Sequence, residues 1–262
     1  MILTDESPDV PSCDLDARVA VVTGAGRGMG RAEALDLARH GARVAVLDID
    51  GEAAQATTAQ IRSLGRESLA IQGDVAESWV TRAAVADVIG SWGRLDIVVS
   101  NAGIIHSGAA LEETTDDEWR RTLEVHIDGA FYLVRAALPY LTVSPAGRII
   151  LISSMWGQAG PGHSHAYCVA KGGLIAFAKN LARELGPSRV CVNAVAPGGV
   201  MTRMAAAQSA EEYENDLATI PLGRYATPAE IAALVSFLAS DAAAFITGQT
   251  IPINGGQLLG GF

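Results

Sequence analysis

The sequence predicts an α/β fold in which one domain is built on a doubly wound, parallel, seven-stranded sheet with helices on both faces. Seven apolar, β-branched runs alternate with helical segments, and strands that alternate with helices pair in parallel. The composition agrees, since 49% of the residues are hydrophobic and only 5% are aromatic. A sheet covered on both faces is filled by such aliphatic residues. The length of 262 residues suits a single domain.

The strand predictions follow the apolar runs in chain order. They lie near residues 18–23, 42–47, 67–72, 95–99, 147–152, 189–195 and 248–253. Helices fill the intervals, and two of them carry explicit start signals. Thr115-x-x-Glu118 and Thr227-Pro228-x-Glu230 are capping boxes, in which a hydroxyl and a carboxylate satisfy the free N–H groups of the first turn.

The charge and the first residues exclude several classes of protein. A net charge of −10 argues against a nucleic-acid partner, which requires a concentrated basic face. Residues 1–15 lack a positive n-region and an apolar h-region, so we expect a flexible tail before a domain at 16–262. No apolar run has membrane-spanning length. Cys13, Cys168 and Cys191 lack metal-ligand spacing, which predicts free thiols in the cytoplasm and no metal site.

A glycine-rich segment from Val19 to Gly30 is the first functional signal. A valine-rich strand arrives at Thr23, a loop of glycines follows, and an Ala/Leu/Arg-rich helix begins. A phosphate approaches a backbone closely only where no Cβ intervenes, and the N-terminus of a helix attracts an anion. The alternative is a turn that merely packs a helix on a strand. The candidate cofactor residues in this segment are Gly24, Arg27, Gly28, Met29 and Gly30.

The spacing of these glycines differs from the common G-x-G-x-x-G fingerprint, because Met29 stands where its third glycine would be. It is Thr23-Gly24-x-x-x-Gly28-x-Gly30, which resembles the cofactor loop of the classical short-chain dehydrogenase/reductase family. The resemblance implies a Rossmann-type fold and a nicotinamide cofactor. Matching motifs continue as far as Asn254-Gly255-Gly256, so the resemblance covers nearly the whole chain.

Asp48 favours NAD over NADP. It ends the second predicted strand, twenty residues after Gly28, where this fold places a side chain beside the adenosine ribose. A carboxylate there accepts hydrogen bonds from both ribose hydroxyls and repels a 2′-phosphate. Arg27 and Arg43 keep NADP open as the alternative, because either cation is able to contact a phosphate. A solvated strand end is the simpler interpretation of Asp48.

Further cofactor positions follow the later strands. Asp74 and Val75 come after the third strand, where an adenine amino group is met, and small residues after the fourth strand let the backbone run close to the cofactor. By resemblance, Thr202 contacts the nicotinamide end. The remaining candidates are Asn101, Ala102, Gly103, Pro197, Gly198 and Val200.

Three residues form the predicted catalytic set. Tyr167 and Lys171 are four apart, so they lie on one face of a helix. A tyrosine with a pKa of about 10 is a poor base at neutral pH, and a neighbouring ammonium favours the phenolate. We assign Tyr167 as general acid/base, Lys171 as its electrostatic partner and a ribose ligand, and Ser154 as a hydrogen-bond partner of the substrate oxygen. The alternative for Tyr167 is a structural role on a packed helix.

His126 departs from the family pattern. The family usually has Val-Asn-x-x-Gly in this helix, where the asparagine supports a proton relay, and this chain reads Val125-His126-Ile127-Asp128-Gly129. One hypothesis is a working relay with altered pH dependence, because an imidazole titrates near neutrality. The other hypothesis is a tolerated replacement.

The substrate and the assembly are predicted less directly. Residues 203–225 suggest a lid, and the apolar segments 104–106 and 155–165 suit a neutral, moderately bulky alcohol or ketone. The helices predicted over 115–140 and 164–186 form the subunit interface in the family. The resemblance therefore implies a homo-oligomer, most often a tetramer, and internal packing is the alternative.

The predicted function is an NAD(H)-dependent oxidoreductase that interconverts a secondary alcohol and a ketone by hydride transfer without a metal. A 3-oxoacyl carrier-protein reductase is a close alternative, against which Asp48 and the acidic composition weigh. Nucleotide-sugar enzymes with a similar Tyr/Lys pair carry a larger C-terminal domain. The alternative outside the enzymes is a catalytically silent subunit that binds NAD. His126, which departs from the family pattern, is the residue that suggests it.

Overall fold

The computed structural model describes residues 12–106, 110–161, 163–202 and 210–259. Its centre is a seven-stranded parallel sheet with the order β3-β2-β1-β4-β5-β6-β7, which confirms the predicted fold class. The strands are β1 (Val19–Thr23), β2 (Arg43–Asp48), β3 (Ser68–Gln72), β4 (Ile97–Ser100), β5 (Arg148–Ile152), β6 (Cys191–Pro197) and β7 (Thr250–Ile253).

Helices cover both faces of the sheet. They are α1 (Gly28–Arg39), α2 (Gly51–Ser63), α3 (Ser78–Trp92), α4 (Asp116–Leu123), α5 (Gly129–Leu141), α6 (His165–Leu185), α7 (Ala210–Ala218) and α8 (Pro228–Ala239). Side chains alternate along each strand, so Val22 packs with α1, α2 and α8, whereas Val21 packs with α3, α5 and α6. The predicted continuous apolar runs are explained by this burial on two faces.

The order of the strands reverses between β1 and β4. Val22 of β1 pairs with Val46 of β2 on one side and with Val99 of β4 on the other. The chain therefore winds outward in one direction over β1–β3 and in the other over β4–β7. In open α/β sheets this switch point opens a crevice at the carboxyl ends of the strands, and ligands bind there.

The helix predicted over 115–140 is interrupted in the structure. Thr115 Oγ1 accepts a hydrogen bond from the Glu118 N–H at 3.2 Å, which confirms the capping box at the start of α4. A π-helical turn, Glu124–Asp128, then separates α4 from α5. Such turns occur frequently at functional sites, and this one carries His126.

The N-terminal boundary needs a correction. Residues 1–11 of the predicted tail lie outside the described residues, but Leu15, which we assigned to the tail, is fully buried. Its N–H donates to the His40 carbonyl oxygen at 2.7 Å, so the packed chain begins at or before this residue. Within the described ranges, no helix is long and apolar enough to cross a membrane, and no group of three His, Cys, Asp or Glu residues is placed to hold a metal ion.

Candidate active site

A cavity of about 1210 Å³ opens at the carboxyl edge of the sheet, over the switch point between β1 and β4. Apart from Arg43, every residue that the sequence analysis assigns to the cofactor or to catalysis lines this cavity. Sites for small ligands usually measure about 300–1,000 Å³. The volume therefore suits an extended dinucleotide together with a small substrate.

The glycine loop is held against β4. Thr23 Oγ1 accepts hydrogen bonds from the N–H groups of Asn101 and Ala102, each at 3.1 Å, and Asn101 Nδ2 donates to the Thr23 carbonyl at 2.9 Å. A Cβ on Gly30 would lie 2.3 Å from the Gly24 carbonyl oxygen, so only glycine allows this close packing. The loop leaves the N-terminus of α1 open toward the cavity, which fits a dinucleotide phosphate.

Asp48 braces the same loop. Its Oδ2 accepts from the Gly26 N–H at 2.7 Å, and its Oδ1 accepts from the Asp50 N–H at 2.9 Å. The side chain is half-buried and lines the cavity, so it is more than a solvated strand end. Arg27 also lines the cavity and forms an ion pair with Asp50.

Arg43 does not belong to the site. It begins β2 and Asp48 ends it, so the two residues are roughly 16 Å apart along the strand. The Arg43 backbone N–H bonds to the Arg18 carbonyl at the opposite edge of the sheet. The suggestion that Arg43 contacts a cofactor phosphate is therefore wrong, because cofactor residues lie at the carboxyl ends of the strands.

Asp74 has a partner that the sequence analysis missed. Its Oδ2 accepts from the Arg121 guanidinium of α4, and its Oδ1 accepts from the Ala76 N–H at 3.0 Å. Arg121 also lines the cavity. An adenine amino group at Asp74 would share the carboxylate with this arginine. The sequence shows Arg121 as a basic residue one turn before Val125. It does not show that Arg121 contacts Asp74, because the two residues are far apart in the chain.

The catalytic candidates come from two neighbouring elements. Ser154 is the second residue after β5 and is buried, and its Oγ accepts from the Trp156 N–H at 3.2 Å. Tyr167 and Lys171 lie on α6, with Lys171 Nζ 5.4 Å from the centre of the tyrosine ring. Lys171 is 3% exposed, and its ammonium donates to the Ile152 carbonyl oxygen at 2.7 Å. The three side chains line one part of the cavity.

Burial dominates the electrostatics of this set. It raises the pKa of Tyr167 to about 12, and the hydrogen bond with Ser154 offsets only part of that rise. Burial also lowers the pKa of Lys171 to about 7, partly offset by the negative charge of Glu33. The expectation that Lys171 brings the pKa of Tyr167 below its usual value is not met here, because desolvation is the largest effect on both groups. At neutral pH the tyrosine is a protonated acid.

His126 is buried beside Tyr167. Its Nε2 lies 2.7 Å from the carbonyl oxygen and 3.0 Å from the nitrogen of Ile104, and Nδ1 has no hydrogen-bond partner among the described residues. The ring centroids of His126 and Tyr167 are 5.4 Å apart in an edge-to-face arrangement. A Cβ on Gly103 would lie 2.4 Å from the imidazole, so the ring fills the space against the strand end.

The relay hypothesis for His126 needs revision. Burial first, and then the positive charge of Lys171, lower the pKa of the imidazole to about 3, although the bond to Ile104 opposes this. The ring is therefore neutral at physiological pH, and an imidazole that titrates near neutrality is wrong for this site. The geometry favours a tolerated replacement that fixes the loop after β4 through Ile104 and packs edge to face with Tyr167.

We expect His126→Asn to leave the pH dependence of kcat unchanged between about pH 6 and 9, because the native imidazole does not titrate there. The measurement is a pH–rate profile of the variant beside the native protein. His40→Asn, at the end of α1, is the matched control for replacing a histidine far from the cavity. If the pH–rate profile of the native protein changed near neutrality and that of His126→Asn did not, the hypothesis of a proton relay through His126 would be restored.

The part of the cavity beside Tyr167 is lined by aromatic rings. The ring centroid of Trp156 lies 5.0 Å from that of His163 and 6.0 Å from that of Tyr167, and both contacts are edge to face. Residues 203–209 of the predicted lid lie outside the described residues. Asp216 and Tyr225, from its remaining part, line the cavity, and the Tyr225 hydroxyl donates to the Asp216 carboxylate.

Comparisons with known proteins agree with this geometry. Residues 24–257 match the family model described as enoyl-(acyl carrier protein) reductase. The 3-oxoacyl-(acyl-carrier-protein) reductase FabG of Staphylococcus aureus is 40% identical over 92% of this chain and 98% of its own length. Trans-4-hydroxycyclohexanecarboxylate dehydrogenase of Sinomonas cyclohexanicum is 39% identical over 93% of both chains. The crystal structure of NAD⁺-bound xylitol dehydrogenase superposes with a TM-score of 0.87 and 31% identity, over 92% of this chain and 99% of that one.

The fold, the cavity and the relatives together define a Rossmann-type oxidoreductase. More narrowly, the chain belongs to the classical short-chain dehydrogenase/reductase family. The resemblance stated from the motifs is thereby confirmed. The family uses a nicotinamide cofactor, and its relatives support an enzyme that acts on a CH–OH group.

Proposed function

We propose that the protein is an NAD(H)-dependent oxidoreductase that interconverts a secondary alcohol and a ketone, with Tyr167 as general acid/base. The observation that carries the proposal is the meeting of Ser154, Tyr167 and Lys171 in the cavity that the glycine loop also lines. A cofactor phosphate at that loop and a substrate at Tyr167 would then occupy one continuous space.

Each residue has a distinct role in this proposal. The nicotinamide supplies the hydride donor for reduction and the hydride acceptor for oxidation. Ser154 holds the substrate oxygen by a hydrogen bond, and Tyr167 gives its hydroxyl proton to that oxygen when a ketone is reduced. In the reverse direction, the phenolate takes the alcohol proton. The Lys171 ammonium, fixed by its bond to the Ile152 carbonyl, stabilises the phenolate.

We infer NAD rather than NADP from the charges around the loop. The Asp48 carboxylate faces the cavity where a ribose hydroxyl would be held, and Arg27 is already paired with Asp50. The 2′-phosphate of NADP would lie against the Asp48 carboxylate. It would also compete with the Asp50 carboxylate for the Arg27 guanidinium. The similar xylitol dehydrogenase, whose structure contains NAD⁺, supports the same choice.

Removing both carboxylates is expected to shift the preference toward NADP. In an Asp48→Ser/Asp50→Asn variant, Arg27 becomes available to a 2′-phosphate, and we expect kcat/KM with NADP to rise relative to NAD by about tenfold or more, equivalent to about 1.4 kcal/mol. The measurement compares steady-state rates with both cofactors. Glu52→Gln, in the first turn of α2, is the control for charge alone. A native enzyme that already prefers NADP would contradict the assignment.

The aromatic wall of Trp156 and His163 suits a neutral, moderately bulky substrate. A relative of this chain is named for trans-4-hydroxycyclohexanecarboxylate, a cyclic secondary alcohol that also carries a carboxylate. A 3-oxoacyl thioester is the second candidate, because the S. aureus relative at 40% identity is named for that reaction. The test measures cofactor turnover with secondary alcohols, cyclic ketones and 3-oxoacyl thioesters. NAD binding without turnover on any of them would favour the silent-subunit alternative.

We also infer a homo-oligomer in the cytoplasm, with a tetramer as the expected state. The cytoplasm is supported by the three cysteines, which are free thiols. The assembly is supported by large apolar side chains exposed on α5 and α6, where Phe131 is 41% and Val169 is 52% exposed. Burial of such residues between subunits stabilises an assembly. Light scattering is expected to give a mass of four chains, and a mass of 27.2 kDa, that of one chain, would overturn the inference.

A further inference from the structure

One wall of the cavity carries two ring nitrogens that have no partner in the protein. They are Nε1 of Trp156 and Nε2 of His163, both half-buried residues that line the cavity. Among the described residues, neither nitrogen has a hydrogen-bond partner. Both atoms are open to solvent, because the fully buried polar atoms that lack partners in the described ranges belong to other side chains. The wall therefore offers hydrogen bonds that the site described so far does not use.

The wall lies beside the reacting phenol. Trp156 belongs to the 3₁₀ turn Met155–Gly157, and its backbone N–H donates to Ser154 Oγ at 3.2 Å. The indole ring contacts His163 on one edge and Tyr167 on another, with ring centroids 5.0 Å and 6.0 Å away. A substrate whose oxygen is held by Ser154 and Tyr167 therefore has the rest of its structure beside this wall.

The loop before α6 fixes the orientation of the imidazole. His163 Nδ1 lies 3.1 Å from Ser164 Oγ, and Cys168 Sγ donates to the His163 carbonyl oxygen at 3.5 Å. Ser164 has a φ of 54°, in the left-handed region that residues with side chains rarely adopt. Such backbone conformations are concentrated at active sites and ligand clamps. The bond at Nδ1 leaves Nε2 as the end of the ring that is available to a ligand.

The chemistry of the two nitrogens favours a hydroxyl group. The Trp156 Nε1–H group only donates a hydrogen bond. The Ser164 hydroxyl either donates to His163 Nδ1 or accepts from it, so Nε2 donates in the first tautomer and accepts in the second. A hydroxyl group both donates and accepts, and it therefore satisfies either tautomer. An apolar substituent would remove water from both nitrogens without replacing its hydrogen bonds, which is unfavourable.

The charges of the cavity argue against a carboxylate as the group that binds this wall. Within the described ranges, the cationic side chains that line the cavity all bond to other groups of the protein. They are Arg27, Arg31, Arg121 and Lys171. Asp216 of α7 also lines the cavity, and its carboxylate accepts from Tyr225 and Gln257. An anionic substituent would add to this negative charge, whereas a hydroxyl group is neutral.

We propose that the substrate is a secondary alcohol with a second hydroxyl group, or the corresponding hydroxy ketone, and that His163 Nε2 and Trp156 Nε1 bind this second hydroxyl. Ser154 and Tyr167 hold the reacting oxygen, and the wall decides how the rest of the molecule lies. His163 and Trp156 are thus specificity-determining residues, which select the alcohol and leave the proton transfer to Tyr167. This inference rests on the proposed function of Ser154 and Tyr167.

The first test compares kcat/KM with NAD for cyclohexanol and for the 1,2-, 1,3- and 1,4-cyclohexanediols. The native enzyme is expected to favour at least one diol over cyclohexanol by about tenfold or more, because a site that bonds a hydroxyl group rejects the analogue without it. His163→Phe keeps a ring beside Trp156 and removes both nitrogens, so it is expected to lose most of this preference. Trp156→Phe is expected to act in the same direction. His163→Gln, which retains a donor and an acceptor, is expected to keep part of the preference.

His165→Phe is the matched control. His165 begins α6 and does not line the cavity, so this variant is expected to keep the native preference for the diol. Equal use of cyclohexanol and of every diol by the native enzyme would overturn the proposal. A preference that survives both His163→Phe and Trp156→Phe would also overturn it. The same holds if 4-hydroxycyclohexanecarboxylate has a higher kcat/KM than the 1,4-diol, since the second group would then be an anion.

The second test needs no turnover. Saturation-transfer NMR of the full-length protein with NADH measures alcohol binding alone, because the reduced cofactor does not accept a hydride. At least one diol is expected to displace cyclohexanol from the native protein and to lose this advantage in His163→Phe. If no alcohol is turned over but this difference in binding is observed, the proposed function fails and the hydroxyl site at the wall stands. If alcohols are turned over and the difference is absent, only the hydroxyl site fails.

Discussion

Tyr167→Phe is expected to lower kcat by about 100- to 10,000-fold in both reaction directions, which is the usual contribution of a general acid/base. The variant loses only the hydroxyl that gives or takes the substrate proton. The ring remains, with its edge-to-face contacts to His126 and Trp156, so the packing of the cavity is retained. The affinity for NAD is expected to change little. The measurement combines steady-state kinetics with calorimetric titration of the cofactor.

The matched control is Tyr132→Phe on α5. Tyr132 lies beside Phe131 and Arg135 and does not line the cavity, so the loss of its hydroxyl is expected to leave kcat near the native value. If Tyr167→Phe retained most of the native turnover, the proton would travel by another group, and the alternative of a structural tyrosine on a packed helix would hold. If both variants lost turnover, the loss would reflect the fold rather than the chemistry.

The sheet was predictable because strands buried on two faces are continuous apolar runs. Thr23 and Asp48 were recognisable as strand ends, since a glycine loop and an acidic residue follow the runs there, and the structure places both at the carboxyl edge. Leu15 was assigned to the tail because the segment around it is acidic and contains proline. Its side chain is buried in the core beside α1, and its N–H donates to the His40 carbonyl, which only the folded chain brings near.

The site was predictable as a set of positions but not as a set of contacts. Strand order brings Asp74 and Arg121 together, and no local pattern records that ion pair. The environment of His126 likewise depends on a π-helical turn, which has no simple sequence signature. Arg43 shows an avoidable error, since its place at the start of a strand already puts it at the wrong edge of the sheet.

Glu33, which is fully buried and whose carboxylate oxygens have no hydrogen-bond partner within the described ranges, shows a signal that was present and not used. It follows Gly30 by three residues and precedes Leu37 by four, so it lies on the face of α1 that must be buried. A carboxylate in that position conflicts with the apolar pattern around it. Such local conflicts are expected at functional sites, because elsewhere they only destabilise the fold.

Glu33→Gln is expected to change how stability depends on pH. The pKa of Glu33 is about 8 in the folded protein, against the ordinary value of 4.5, so between these values the folded state holds a proton that the unfolded state has released. The free energy of unfolding of the native protein therefore falls as the pH rises. From pH 5 to pH 7 this loss is on the order of 2 to 3 kcal/mol. Glutamine does not titrate, so Glu33→Gln does not lose this stability as the pH rises.

Lys171 does not reverse the sign of this prediction. Its folded pKa of about 7 lies below the ordinary 10.5, so its effect on the native protein begins near pH 7 and raises stability above that value. Calorimetry at pH 5 and pH 7 measures Tm of Glu33→Gln and of the native protein. The Tm of the variant minus that of the native protein is expected to increase by about 5 °C or more from pH 5 to pH 7. Asp36→Asn is the control. Equal slopes of Tm with pH would mean that Glu33 is already ionised at pH 5, and a carboxylate stable there would need a hydrogen-bond partner.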